Sequence, residues 1–234
     1  MLRLSEFDAV TFDVYGTLID WEPEITEFLV EWAAKVSVSA TGEQLIMSFD
    51  RARAEIQKER PAHLYPEVLR RCFDRISGDF DVPIELDYRE AFAVTPHQWP
   101  AYADVPSGLK QLQALAKIGA LSNIDNASLA SACAKMRVSF DIVVTAERVG
   151  AYKPSSEHFE TALADLAGLG ISRSRVLHVG QSLRADITPA NALGLKCVWI
   201  NRRNRLLGLS GEGAAEARPD LTVESLAQML EVIG

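Results

Sequence analysis

The chain lacks the features that would place it in a membrane or among disulfide-rich proteins. Its three cysteines, Cys72, Cys133 and Cys197, are odd in number and share no CxxC spacing, so neither a disulfide framework nor a zinc site is expected. No run approaches the roughly 18 apolar residues that span a bilayer. The first residues also lack the apolar stretch of a signal peptide. We therefore expect a cytoplasmic protein with no membrane partner.

Basic residues are scarce as well. The sequence has 24 lysines and arginines against 32 acidic residues, which gives a net charge of −8. Nucleic-acid binding needs a clustered basic surface, so no nucleic-acid partner is expected. One local basic cluster, Arg202, Arg203 and Arg205, predicts a solvated loop after a strand, with a dimer or anion contact as the alternative.

The chain does contain short β-rich runs that alternate with helical patterns. This alternation predicts βαβ units, right-handed crossovers and a parallel sheet, and therefore an α/β fold with helices on both faces. A length of 234 residues allows one large domain, or one domain with an insertion. The predicted strands cover 9–12, 118–121, 141–145, 176–179, 196–200 and 220–223, and the helical patterns between and after them cover 108–117, 128–136, 156–167, 187–193 and a stretch starting near 224.

Residues 21–99 break this rhythm. They show helical patterns punctuated by prolines, and they fall between the first and second predicted strands. We predict a core of residues 1–20 and 100–234 interrupted by a helical insertion, 21–99. At that place an insertion would act as a cap that excludes water from an active site; the alternative is an extra lobe without catalytic contacts. Within 21–99 the helical patterns cover 24–35, 41–59, 65–76 and 87–93.

The segment from Asp13 to Asp20 is the most informative part of the sequence. Asp13 follows the first predicted strand and precedes a turn containing Gly16. Open α/β sheets carry their chemistry at the carboxyl ends of strands. A carboxylate placed there can act as a nucleophile.

Three later motifs support that interpretation. With the first, the four motifs are Asp13-x-Tyr15-Gly16-Thr17, Leu121-Ser122-Asn123, Lys153-Pro154, and Gly180-Gln181-Ser182 followed by Asp186. In this order they resemble the haloacid dehalogenase superfamily over nearly the whole chain, which implies a Rossmann-like core with a cap. Tyr15 points to the L-2-haloacid dehalogenase subgroup, which has Tyr at that position, and the resemblance implies a homodimer.

The resemblance implies roles for the core residues. Asp13 would attack an electrophilic carbon and form an ester, while Lys153 keeps it ionised and oriented. The hydroxyls of Thr17 and Ser122 could hold a substrate carboxylate, or could be local turn residues. Asp186, with Gln181, would place the hydrolytic water or orient Lys153.

Further residues are expected to bind the substrate or the halide. Asn123 offers an amide donor, or is a turn residue. The family dehalogenases use a cap arginine, for which Arg51 is the best match and Arg53 the rival. On a helix, Arg51 could instead pair with Glu55 on the surface. The family's Tyr after the Lys-Pro pair is replaced here by Phe159.

Tyr15 and Gln181 bear on the reaction. The superfamily phosphatases have an Asp at the position of Tyr15 that protonates a basic leaving group. Because Tyr titrates near 10 and Asp near 4, Tyr15 is a far weaker acid. Gln181 removes one carboxylate from the motif that holds Mg²⁺ in those phosphatases, whereas Asp186 keeps phosphatase-like spacing.

These features lead to one leading hypothesis and two alternatives. The leading one is hydrolysis of a small 2-haloacid by Asp13, with water and a small carboxylate as partners and no cofactor. The first alternative is an Mg²⁺-dependent phosphatase, with Mg²⁺ held by Asp13, the backbone of Tyr15 and Asp186. The second is a catalytically idle domain that binds a small anion or a protein.

Overall fold

A computed structural model describes residues 2–202 and 214–234. Six parallel strands form one sheet in the order β3-β2-β1-β4-β5-β6, which confirms the predicted α/β fold. The order reverses between β1 and β4, where open sheets bind their ligands beyond the carboxyl ends of the strands. The strands are β1 Ala9–Phe12, β2 Lys117–Ser122, β3 Ile142–Thr145, β4 Val176–Gly180, β5 Lys196–Ile200 and β6 Leu221–Val223.

Four helices lie between β1 and α5 (Val105–Gln113), within residues 21–99, where the sequence predicts a helical insertion. Each buries an apolar stripe; on α2 that stripe is Leu45, Ile46, Phe49, Ala52 and Ile56. The α2 helix ends at Ile56, three residues before the predicted end. The helices are α1 Glu22–Lys35, α2 Gly42–Ile56, α3 Tyr65–Asp79 and α4 Leu86–Ala93.

The chain enters and leaves the insertion side by side. Ile19 forms an antiparallel bridge with Ala101, and the Asp20 N–H donates to the Pro100 carbonyl at 2.8 Å. The insertion boundaries at 21 and 99, which lie next to this pairing, stay a prediction.

The remaining helices flank the sheet. The pattern at 108–117 predicts too late an end for α5, because Lys117 already belongs to β2. A π-helical turn at Leu183–Ile187 precedes α9 and was not predicted. None of the helices in 2–202 and 214–234 is long and apolar enough to span a bilayer. These helices are α5 Val105–Gln113, α6 Asn126–Met136, α7 Ala146–Val149, α8 Glu157–Gly168, α9 Thr188–Ala192 and α10 Leu226–Ile233.

The prediction that Arg202 is solvated is wrong. Arg202 is buried, donates to both carboxylate oxygens of Asp104 at 3.0 and 3.1 Å, and lies 3.9 Å from the ring centroid of Tyr102. The same Asp104 carboxylate accepts the Leu226 N–H at 2.7 Å and so caps α10. Arg203 and Arg205 lie outside the described residues.

Candidate active site

Asp13 sits where β1 ends, next to β4. Its N–H donates to the Val179 carbonyl at 3.0 Å, which continues the pairing of the two strands. Gly16 then turns the chain with a φ of +99°, a conformation that favours glycine. This turn brings the buried Thr17 hydroxyl to Asp13 Oδ2 at 2.7 Å. The structure thus places the Thr17 hydroxyl on Asp13, and its contact with a substrate carboxylate stays a prediction.

Lys153 hydrogen-bonds to three other groups of the site. Its buried ammonium donates to Asp13 Oδ1 at 2.9 Å, Asp186 Oδ1 at 2.7 Å and the Leu121 carbonyl at 2.8 Å. An ammonium has three donors, so all of them are used. The backbone of Lys153 is also held, because Asn123 accepts its N–H at 2.6 Å and donates to its carbonyl at 3.1 Å. Asn123 therefore fixes Lys153, a role not predicted from the sequence.

Asp186 can approach Lys153 because residue 180 is a glycine. Asp186 lies on the π-helical turn, and its Oδ2 accepts the Ser182 N–H at 3.0 Å. A Cβ on Gly180 would lie 2.4 Å from the Asp186 Cβ, far inside van der Waals contact. Glycine at the end of β4 is therefore what allows Asp186 to approach Lys153.

Burial and charge set the ionisation of these groups. Burial raises the pKa of Asp13 to about 6, against the pull of Lys153 and with some help from the charge of Asp186. Burial would also raise the pKa of Asp186, but Lys153 and His178 together lower it to about 2. The two carboxylates keep the pKa of Lys153 above its ordinary value despite burial. At pH 7 the cluster holds two carboxylates and one ammonium.

Tyr15 packs into an aromatic group above Asp13. Its ring makes edge-on contacts with Tyr65 at 5.5 Å and Trp99 at 5.1 Å between centroids. Its hydroxyl donates weakly to the Ser128 carbonyl at 3.5 Å, and burial raises its pKa well above the usual value. Tyr15 is thus a wall residue and a poor proton donor.

The arginine of α2 that reaches the site is Arg53, and the prediction of Arg51 is wrong. Arg51 has a 67% exposed side chain and pairs with Asp79 at 2.8 Å on the far face of α2. Arg53 lies over the ring of Trp21 at 5.3 Å and pairs with Asp50. Residues two positions apart on a helix point in directions that differ by about 200°, so Arg51 and Arg53 cannot share a face.

A cavity of about 70 Å³ lies between the sheet edge and the insertion. The Ser122 hydroxyl and Arg53 Nε, on two residues that line it, are buried and find no hydrogen-bond partner within 2–202 and 214–234. Gln57 and Arg184 also line it; neither was predicted, although Gln57 follows Arg53 by one helical turn. The lining residues are Asp13, Tyr15, Trp21, Arg53, Gln57, Tyr65, Ser122, Asn123, Ile124, Lys153, Gln181, Ser182, Arg184, Ala185 and Asp186.

Asp13 and Asp186 are the carboxylates that could hold a divalent cation. Each of their four oxygens already accepts a hydrogen bond, from Lys153, Thr17 or the Ser182 N–H. The second side chain of the fourth motif is the neutral amide of Gln181. A cation such as Mg²⁺, which prefers carboxylate and phosphate oxygens, would therefore find two side-chain carboxylates here, those of Asp13 and Asp186.

Comparison with known proteins places this site in a family. The model of the haloacid dehalogenase-like hydrolases matches residues 7–194, so the chain belongs to that family and is a hydrolase. The structure of the L-2-haloacid dehalogenase from Xanthobacter autotrophicus superposes with a TM-score of 0.78 at 19% identity, over 97% of this chain and 98% of that one.

Curated relatives fall into two activities. The (S)-2-haloacid dehalogenase of Pseudomonas sp. (strain YL) is 26% identical over 96% of this chain and 93% of its own length. The phosphoglycolate phosphatase of Yersinia pestis is also 26% identical, over 100% of this chain and 96% of its own length. Similarity of this degree leaves the choice of substrate to the chemistry of the site.

Proposed function

We propose that this hydrolase removes halide from a small 2-haloacid. The observation that carries the proposal is the state of Tyr15. A phosphate ester releases a basic alkoxide that needs a proton, and the Tyr15 hydroxyl is buried, weakly acidic and turned toward Ser128. Halide is a weak base and leaves without a proton.

The cavity suits a small anion with two electronegative ends. Buried polar groups without partners are rare, so the Ser122 hydroxyl and Arg53 Nε are natural donors to a ligand. We assign the substrate carboxylate to Ser122 and the halogen to Arg53. A cavity of 70 Å³ holds about five or six water-sized groups, which is the heavy-atom count of a 2-halopropionate.

The first step forms an ester. A carboxylate oxygen of Asp13 attacks the α-carbon opposite the halogen, the carbon–halogen bond breaks, and halide leaves with the electron pair. The configuration at the α-carbon is inverted. Lys153 keeps the nucleophile ionised and Thr17 fixes its second oxygen, so little reorganisation is needed.

The second step hydrolyses that ester. Water adds to the carboxyl carbon of Asp13, the ester bond breaks, and the 2-hydroxy acid leaves. One proton passes to solvent and the Asp13 carboxylate is restored. Asp186 and Lys153 remain paired throughout and hold the site in place.

Chloride release from L-2-chloropropionate tests the proposal. We expect release by the purified protein, and none above background by Asp13→Asn, which keeps the shape but not the nucleophile. A single turnover in H₂¹⁸O should place ¹⁸O in Asp13 and not in the product. Chloride release that persists in Asp13→Asn would refute the mechanism.

The phosphatase remains a second candidate because a full-length relative has that activity and Asp186 keeps phosphatase-like spacing. Phosphate release from phosphoglycolate that requires Mg²⁺ and stops on chelation would establish it. An ester or phosphoryl adduct on Asp13, seen by mass spectrometry, would exclude the idle binding domain. The homodimer stays a prediction that light scattering can check.

A further inference from the structure

The insertion contacts the core where the chain enters and leaves it, since Asp20 bonds to Pro100 and Lys135 of α6 donates to the Pro96 carbonyl. It also contacts the core through an internal loop. That loop joins α2 and α3 and covers residues 57–64. This loop has no covalent link to the core and is held by hydrogen bonds.

Three of those bonds involve the loop that follows β3. The Ala62 N–H donates to the Gly150 carbonyl at 2.9 Å. The Tyr152 hydroxyl accepts the His63 N–H at 2.7 Å and donates to the His63 carbonyl at 3.1 Å. One buried hydroxyl thus satisfies both backbone groups of a single residue of the insertion.

A fourth bond comes from the loop that follows β2. The side chain at the N-cap of α3, Leu64, cannot cap the helix. The carboxylate of Asp125, in the core, accepts the Tyr65 N–H at 2.8 Å instead. Asp125 is buried and also caps its own helix α6 through the Ser128 N–H at 2.8 Å. One carboxylate therefore joins a helix of the core to a helix of the insertion.

Both anchors stand next to the catalytic groups. Tyr152 precedes Lys153, and Asp125 follows Asn123 by two residues. On the other side, the anchored segment leads directly into Tyr65, which lines the cavity. We propose that Tyr152 and Asp125 are positioning residues that hold the cavity-lining ends of α2 and α3 over Asp13. The kinetic part of this proposal rests on the proposed function.

Two conservative variants separate anchoring from other roles. Tyr152→Phe keeps the ring and loses the hydroxyl. Asp125→Ser keeps a good N-cap for α6 but is too short to reach Tyr65. Tyr88→Phe, which removes a hydroxyl from α4 in the same insertion, is the matched control.

Amide exchange reports the anchoring without any substrate. We expect exchange at 62–65 to quicken about tenfold in Tyr152→Phe, since two ordinary hydrogen bonds are lost. Asp125→Ser should quicken exchange at Tyr65, and Tyr88→Phe should change neither. Unchanged exchange in both test variants would overturn the proposal.

Kinetics then separate positioning from mere stability. We expect KM for L-2-chloropropionate to rise up to about tenfold, with kcat within about twofold. The reason is that a smaller fraction of the protein then has residues 57–64 in the position that binds substrate. Faster exchange with unchanged KM would mean that the bonds are only structural, and would overturn the proposal. If the wild type hydrolyses phosphoglycolate instead, the proposed function fails alone and the same KM comparison decides the positioning. A wild type that hydrolyses neither compound overturns both.

Discussion

Gly180→Ala should separate Asp186 from Lys153 without a substitution at either residue. The new Cβ would meet the Asp186 Cβ at 2.4 Å, and ordinary contact begins at 3.4 Å, so Asp186 must retreat by 3.4 − 2.4 = 1.0 Å. The strand cannot yield easily, because Gly180 is paired with Trp199 of β5. The bond from Lys153 to Asp186, now 2.7 Å, would then exceed hydrogen-bond length.

The expected losses follow from that displacement. Misplacement of a catalytic group by about 1 Å costs about 100-fold in rate, so kcat for L-2-chloropropionate should fall about 100-fold. Overpacking should lower the free energy of unfolding by about 1–3 kcal/mol, which a stable domain survives. Urea denaturation and chloride release measure the two effects.

The control and the double variant make this test decisive. Gly168→Ala adds a methyl that meets nothing within 4 Å, and should leave both quantities near wild type. Adding Asp186→Ala to Gly180→Ala should cost no further activity, because both changes break the same contact. If Gly180→Ala folds and keeps kcat within about threefold of wild type, Asp186 is not needed where the structure places it.

Three further outcomes are expected. The rate kcat/KM should fall about tenfold per pH unit below pH 6, because burial raises the pKa of Asp13 to about 6 and only its ionised form attacks; a flat profile down to pH 5 would contradict this. Arg53→Gln should raise KM about 10- to 100-fold through loss of a charged hydrogen bond, whereas Arg51→Gln should stay within about twofold; the reverse ranking in initial-rate assays would refute the site. Asp104→Ala should lower the free energy of unfolding in urea by about 3–5 kcal/mol, because it removes the carboxylate that neutralises the buried Arg202 and leaves only the Thr17 carbonyl as its hydrogen-bond partner within 2–202 and 214–234, and a loss below 1 kcal/mol would refute that reasoning.

The fold could be predicted because each element is decided by local pattern. The β-rich runs and helical stripes repeat in an order that allows one class of sheet. The predictions that failed were helix ends that depend on neighbouring elements. Helix α5 ends before 117 because Lys117 belongs to β2, where it pairs with Ala9. The π-helical turn at Leu183–Ile187 has no periodic signal, since it is shaped around Asp186.

The residues of the candidate site were predictable from the sequence, and their hydrogen-bond partners were less so. Asp13, Lys153 and Asp186 were placed by motif order, and the structure brings them together. The partner of a hydroxyl or an amide depends on distances that the sequence does not contain, so the contacts of Thr17 with Asp13 and of Asn123 with Lys153 were not predicted.

The arginine could have been found from the helix phase. Arg53 follows Phe49 by four residues and precedes Ile56 by three, so it borders the buried stripe of α2. Arg51 sits four residues after the exposed Met47. Counting turns from the apolar stripe is therefore a better guide to a cap residue than similarity of spacing to a family.

The two candidate activities would use the same nucleophile, Asp13, so the leaving group must decide between them. The Lys153–Asp13 pair would serve attack on carbon or on phosphorus equally well, since it prepares only the attacking oxygen. A leaving group that must gain a proton needs an acid near the bond that breaks. The residue at that position of the motif is Tyr15, whose hydroxyl lies 3.5 Å from the Ser128 carbonyl among aromatic side chains. The same side chains leave a cavity of about 70 Å³, which has room for the heavy atoms of a 2-halopropionate. The leaving-group chemistry is therefore the observation on which the proposed dehalogenation depends.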